Sequence, residues 1–237
     1  MSLGIGWDPP SASSKARPLL WLLPLAGAGL ASLSAEELGW GEGLPALQRL
    51  RYWRSRAALR QVLASVLGCG PAAVPLCSPP GQPPRLLEGL GWISLSHSGQ
   101  GLLIGYSGEP IGVDLELVGR PLDAAALMRR FYPIGEQGQL EGLTGEALRV
   151  AVLTSWVLKE AAIKWRQSSL AVELRNWSCD HSCGQIQHIG EGVQPDCCTA
   201  TAAEWRWAAV GNGCYYPRID SRFCRQIDQE TPNGAGT

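Results

Sequence analysis

The 237-residue chain is 45% apolar and 17% charged, enough to bury a core as one larger domain or as two lobes of roughly 100 to 120 residues each. A net charge of −1 removes any electrostatic reason to expect non-specific binding to nucleic acid or to an anionic membrane surface. Eight cysteines scattered between Cys69 and Cys224 read as free thiols, because a chain of this length needs no disulfide staples.

Residues 1–17 are rich in Ser, Pro, Gly and Ala without apolar periodicity, which predicts a flexible arm. Lys15-Ala16-Arg17-Pro18 followed by the apolar run from Leu19 has the outline of a signal peptide. Against that, Asp8 and two prolines precede the basic residues, and Pro24, Gly27 and Gly29 interrupt the run. Leu19 to Leu23 reads instead as a first buried strand, too short to span a bilayer. Ser34-Ala35-Glu36-Glu37 has the form of a capping box and predicts a helix start. From Leu47 to Leu67 apolar residues recur at helical spacing until Gly68 and Pro71 end the run. The arginines of that helix, Arg49, Arg51, Arg54, Arg56 and Arg60, form either a solvated face or a site for a polyanion.

Pro75 to Arg85 is proline-rich and extended, and 91–99 with 102–106 alternates as a hairpin that places His97 at a strand end. Ile111-Gly112-Val113-Asp114-Leu115-Glu116 follows a turn at Ser107 to Pro110. Its two carboxylates, two residues apart on a strand, share one face while Ile111, Val113 and Leu115 occupy the other. Like charges so placed are unfavourable without a cation between them, so a divalent metal site is expected here.

Pro121 to Arg130 is a second helical segment, followed by Phe131-Tyr132-Pro133 and Glu136, read as structural. Thr144 to Gln167 is a long helix that carries Lys159, Glu160 and Lys164. Glu160 offers a third carboxylate, and three hard oxygen ligands with nearby lysines suit Mg²⁺ beside a phosphate ester. Further on, Asn176-Trp177, 185–189 and 204–210 pattern as the antiparallel strands of a second sheet. Cys179, Cys183, Cys197 and Cys198 fall in the connecting loops, at spacings that match no common zinc module. The polar, Gly-rich residues 229–237 predict a flexible tail.

Three motifs in order, Ser94-Leu95-Ser96-His97-Ser98, Gly112-Val113-Asp114-Leu115-Glu116 and Trp156-Val157-Leu158-Lys159-Glu160-Ala161-Ala162-Ile163-Lys164, resemble the 4'-phosphopantetheinyl transferase superfamily in its larger, two-lobed (surfactin-synthetase-activating) type. That family's signature is a G-(I/V)-D-(I/V/L)-E strand followed by a W-x-x-K-E-(A/S)-x-x-K helix. The resemblance spans roughly residues 19 to 210. It implies an α+β fold of two pseudo-twofold-related lobes, each a small antiparallel sheet against a long helix. The lobes would be 18–106 and 107–228, between the arm and the tail.

The resemblance also implies the chemistry. Asp114, Glu116 and Glu160 would hold Mg²⁺, with Glu160 and Lys164 catalytic. Arg56, Ser96, His97, Lys159 and Lys164 would bind coenzyme A as co-substrate, Arg56 and His97 at its 3'-phosphate, with Arg51 and Arg60 as alternatives to Arg56. Gln82 stands where family members usually carry a lysine. The other partner would be an apo acyl or peptidyl carrier protein, as in fatty acid biosynthesis, and the chain would act as a cytoplasmic monomer. The alternative is a coenzyme A or carrier-protein binding module that has lost catalysis.

Overall fold

The computed structural model describes residues 17–26 and 29–219; the expected N-terminal arm and C-terminal tail lie essentially outside them. The fold is mixed α+β, with several small and mainly antiparallel sheets. Its strands are β1 (Leu19–Pro24), β2 (Leu76–Cys77), β3 (Arg85–Leu86), β4 (Trp92–Ser98), β5 (Gly101–Ser107), β6 (Ile111–Leu117), β7 (Trp177–Asp180), β8 (Gln185–His188), β9 (Cys197–Ala202), β10 (Trp205–Gly211) and β11 (Arg218–Ile219). The helices are α1 (Ala35–Glu42), α2 (Ala46–Leu67), α3 (Ala124–Phe131), α4 (Ile134–Gln139), α5 (Gly145–Trp165) and the single turn α6 (Leu170–Glu173).

The first sheet has the order β11-β1-β5-β4 and the second β6-β10-β9. Each carries one long helix. Leu59, Val62 and Leu63 of α2 pack on Trp21, Leu23, Leu102 and Ile104 of the first sheet. Val157, Leu158 and Ala161 of α5 pack with Ala208 and Val210 of the second. The opposite faces of the sheets meet in a third cluster, where Leu20, Leu22 and Leu103 touch Val113, Leu115 and Trp207. Alternation along β1 explains this division, since successive side chains enter different cores.

Two details depart from the sequence pattern. β7 and β8 form a separate two-stranded sheet, whereas β10 pairs with β6. Cys179 lies not in a loop but in β7, and Cys197 and Cys198 open β9, whose small residues Thr199 to Ala202 give no strong alternation and owe their strand geometry to pairing with β10. β11, two residues parallel to β1, was equally silent in the sequence.

The capping box is formed as expected, Glu37 N–H donating to Ser34 Oγ and Ser34 N–H to Glu37 Oε2. Glu37 is fully buried and does more than cap: it pairs with Arg60 of α2 at 2.5 Å and accepts from Ser78 Oγ at 2.6 Å. Arg60 in turn donates to the Pro71, Ala72 and Val74 carbonyls. α1, α2 and the 71–78 segment are therefore locked by one buried charge network. Arg60→Met, which strands the Glu37 charge, is expected to lower the unfolding free energy by about 3 to 5 kcal/mol in urea denaturation.

Candidate active site

The site lies where β4 and β6, strands of different sheets, run side by side. No backbone ladder joins them; three serines do. Ser94, Ser96 and Ser98 alternate along β4 and so share one face. Ser94 Oγ accepts from Val113 N–H at 3.0 Å and Ser98 Oγ from Leu117 N–H at 3.1 Å, so hydroxyls satisfy the edge groups of β6. The same row holds the acids. Ser96 Oγ donates to Asp114 Oδ1 at 2.7 Å and Ser98 Oγ to Glu116 Oε2 at 3.0 Å.

Helix α5 closes the site from above. A methyl group at Gly112 would lie 1.9 Å from the Ala161 carbonyl oxygen and 2.4 Å from the Trp165 nitrogen, so only glycine lets the helix backbone rest on β6. This contact brings Glu160 and Lys164, one turn apart, over the acidic strand. Lys164 Nζ donates to Asp114 Oδ1 at 2.7 Å, to Ser96 Oγ at 3.1 Å and to the Val113 carbonyl at 3.1 Å. Each of Asp114, Glu116 and Glu160 offers an oxygen within 4.8 Å of the others. Among the described residues this is the one such convergence of potential metal ligands, and the cysteines form none.

The electrostatics fit a cation. Asp114 is almost fully buried, and its Oδ2 has no hydrogen-bond partner among the described residues, an orphaned acceptor that a metal ion would satisfy. Burial pushes the Glu116 carboxyl up, against the pull of Arg120 and Ser98. Glu160 is pushed up to about 8, first by burial and then by the charge of Asp114. Three oxygen donors of this kind suit a hard divalent ion such as Mg²⁺.

The other expected residues are placed differently from one another. Ser96 sits inside the centre, bound to Asp114 and Lys164, while the adjacent His97 is exposed. Desolvation lowers the His97 pKa, and the charges of Arg51, Lys164 and Arg56 push the same way. Those cations therefore surround the imidazole with positive potential. Arg56 is nearly buried, stacked 5.1 Å from the Tyr52 ring centroid and donating from Nε to the Ser78 carbonyl at 3.3 Å. Arg60, engaged by Glu37, is not free to serve in its place. Gln82 is exposed in a turn.

Lys159 is not brought together with the three acids. It is fully buried, pairs with Glu136 of α4 at 2.6 Å, and lies 3.8 Å from the Tyr132 ring centroid. One residue along a helix turns a side chain by about 100°, which aims Lys159 at α4 while Glu160 faces β6. Arg120 is the residue that sequence reasoning missed. It pairs with Glu116 Oε1 because the turn after β6, closed by Arg120 N–H to the Leu117 carbonyl, folds it back over the strand. Strand periodicity carries no signal of such a return.

The family model for the 4'-phosphopantetheinyl transferase superfamily matches residues 110–212, the segment that contains all three carboxylates. A Synechocystis sp. protein, provisionally named a 4'-phosphopantetheinyl transferase, is 32% identical over 182 residues, covering 73% of this chain and 74% of its own length. The chain belongs to the 4'-phosphopantetheinyl transferase superfamily. Against that identity, the residues around the centre have distinct duties in this transferase. Asp114, Glu116 and Glu160 form the acidic cluster, and Lys164 holds Asp114. Lys159 and Glu136 lock α5 to α4 behind it.

The raised Glu160 pKa gives a measurable sign. The folded centre holds a proton that the unfolded carboxyl, with its ordinary value of 4.5, releases. Metal-free stability should therefore fall as pH rises from 4.5 through about 8. Mg²⁺ bound among the three carboxylates would displace that proton, so the Mg²⁺-induced rise in Tm should grow across the same window. Thermal melts at several pH values with and without Mg²⁺ check this; a rise independent of pH would contradict it.

Proposed function

We propose that this transferase moves the 4'-phosphopantetheine group of coenzyme A to a serine hydroxyl of an apo acyl or peptidyl carrier protein, leaving adenosine 3',5'-bisphosphate. The observation that carries the reading is the convergence of Asp114, Glu116 and Glu160 with Lys164 on a seam between two sheets. The finer assignment to the larger two-lobed type also belongs to this proposal. Its lobes would be 18–106 and 107–228, acting together as a cytoplasmic monomer. No helix among the described residues is long and apolar enough to cross a membrane, which agrees with soluble substrates.

Asp114 through its unpartnered Oδ2, Glu116 and Glu160 would hold Mg²⁺, which supplies charge neutralisation at the diphosphate and polarisation of the reacting phosphorus. The chain's own residues do the rest. Glu160, directly or through a water, takes the proton of the attacking serine hydroxyl. The serine oxygen forms its bond to the phosphorus that carries pantetheine. The bridging P–O bond breaks, and its electron pair stays with the adenosine bisphosphate. Lys164 is held within reach of that developing charge by Asp114, Ser96 and the Val113 carbonyl, and stabilises or protonates the leaving oxygen. His97, Arg56 and the exposed Arg51 bind the 3'-phosphate, drawing on cationic surroundings that, after desolvation, also depress the His97 pKa. An anion bound there reverses that effect and favours imidazolium. Lys159 keeps α5 in register and touches no substrate.

Mass spectrometry of an apo acyl carrier protein incubated with the chain, coenzyme A and Mg²⁺ tests the reading. The expected result is a carrier heavier by one phosphopantetheine, with Glu160→Gln slowing the reaction by about 10²-fold or more. Binding of coenzyme A without modification of any of several carriers would favour the inactive binding module.

A further inference from the structure

Arg120 is a charge of the centre that the proposed transfer leaves without a task. The turn that carries it is tied at its root. Arg120 N–H reaches the Leu117 carbonyl at 3.2 Å, Val118 N–H reaches the Glu204 carbonyl at 2.8 Å, and the Arg149 guanidinium binds the Val118 carbonyl. The tip is less confined, with the Arg120 side chain about a third exposed at the rim. It pairs with Glu116 Oε1, and its charge also acts on Glu160.

The two resident cations divide the acids between them. Lys164 holds Asp114 Oδ1 and leaves Oδ2 unpartnered in the interior. Glu116 has no such spare oxygen: Ser98 donates to Oε2 and Arg120 covers Oε1. A divalent ion that draws on Glu116 through Oε1 therefore competes with Arg120 for that oxygen. Such an ion adds positive charge to this centre, so a diphosphate is attracted to the rim more strongly once the ion is in place. A guanidinium freed from a carboxylate at that rim presents a planar fork that matches phosphate oxygens.

Resting on the function proposed above, we propose that Arg120 stands in for the metal at Glu116 in its absence, yields that carboxylate when the ion enters, and then binds the diphosphate of coenzyme A. Arg120 is thus both a competitor of the metal and a ligand of the substrate. The two roles give effects of opposite sign, which a merely structural residue does not produce.

The test uses the full chain, Arg120→Gln and Arg120→Lys, each checked for folding by thermal melting. Mn²⁺ is the probe ion, followed by the electron paramagnetic resonance of its free form at low ionic strength. Coenzyme A binding is then measured by calorimetry at saturating Mn²⁺. Arg120→Gln should bind Mn²⁺ about two- to fivefold more tightly, as release of a partly exposed ion pair allows. It should bind coenzyme A about tenfold or more weakly, through loss of a charged hydrogen bond. Arg120→Lys, which keeps the charge but not the fork, should fall between on both measures. Unchanged or weaker Mn²⁺ binding in Arg120→Gln, or unchanged coenzyme A binding, overturns the proposal while leaving the metal centre standing. Failure of the unmodified chain to bind Mn²⁺ overturns the metal centre and this proposal with it.

Discussion

The backbone of α5 rests on β6 at Gly112, with no side chain between them. Everything chemical in the structure depends on that approach. Ala161, whose carbonyl faces Gly112, follows Glu160 directly, so the contact sets how deeply Glu160 projects over Asp114 and Glu116. A methyl group at position 112 would meet backbone atoms, which cannot rotate away as a flexible side chain can. The helix would have to lift, and with it Glu160 and Lys164. The glycine that opens the acidic motif is thus as much a part of the centre as the acids it precedes.

Fixed charge in the interior then holds that arrangement. The Lys159–Glu136 pair is wholly buried behind the centre and sets the rotation of α5 about its axis. The Glu37–Arg60 pair locks α1 and α2 in the other half of the fold. Such pairs cost desolvation that attraction only partly offsets, so their contribution is to geometry more than to stability. The serine row of β4 serves a related end at the seam. Small hydroxyls there satisfy β6 amides and orient its carboxylates at once, a task that larger or apolar residues would fail.

Much of this was legible in the sequence. Periodicity marked β1, α2, the β4–β5 hairpin, β6 and α5, because each buries a regular stripe. Spacing alone placed Asp114 and Glu116 on one face and predicted a cation between them. The resemblance to the family rested on short stretches, 94–98, 112–116 and 156–164, of which the last two lie within the residues that the family model matches. What the sequence could not convey was direction. Lys159 and Glu160 are neighbours in the motif, yet helix rotation sends one to the core and the other to the centre. Ser96 and His97 are neighbours too, and strand alternation separates their duties. Arg120 depends on the path of a turn, and β9 on a partner strand, neither of which leaves a local pattern.

The claim on which the rest stands is that a divalent ion belongs among Asp114, Glu116 and Glu160. Crystals of the unmodified chain grown with Mn²⁺ would test it most directly through anomalous scattering. The expected result is one strong peak bonded to Asp114 Oδ2 and to an oxygen each of Glu116 and Glu160, with Lys164 still beside Asp114. An anomalous map with no peak there at saturating Mn²⁺, and the Arg120–Glu116 and Lys164–Asp114 pairs intact, would contradict it.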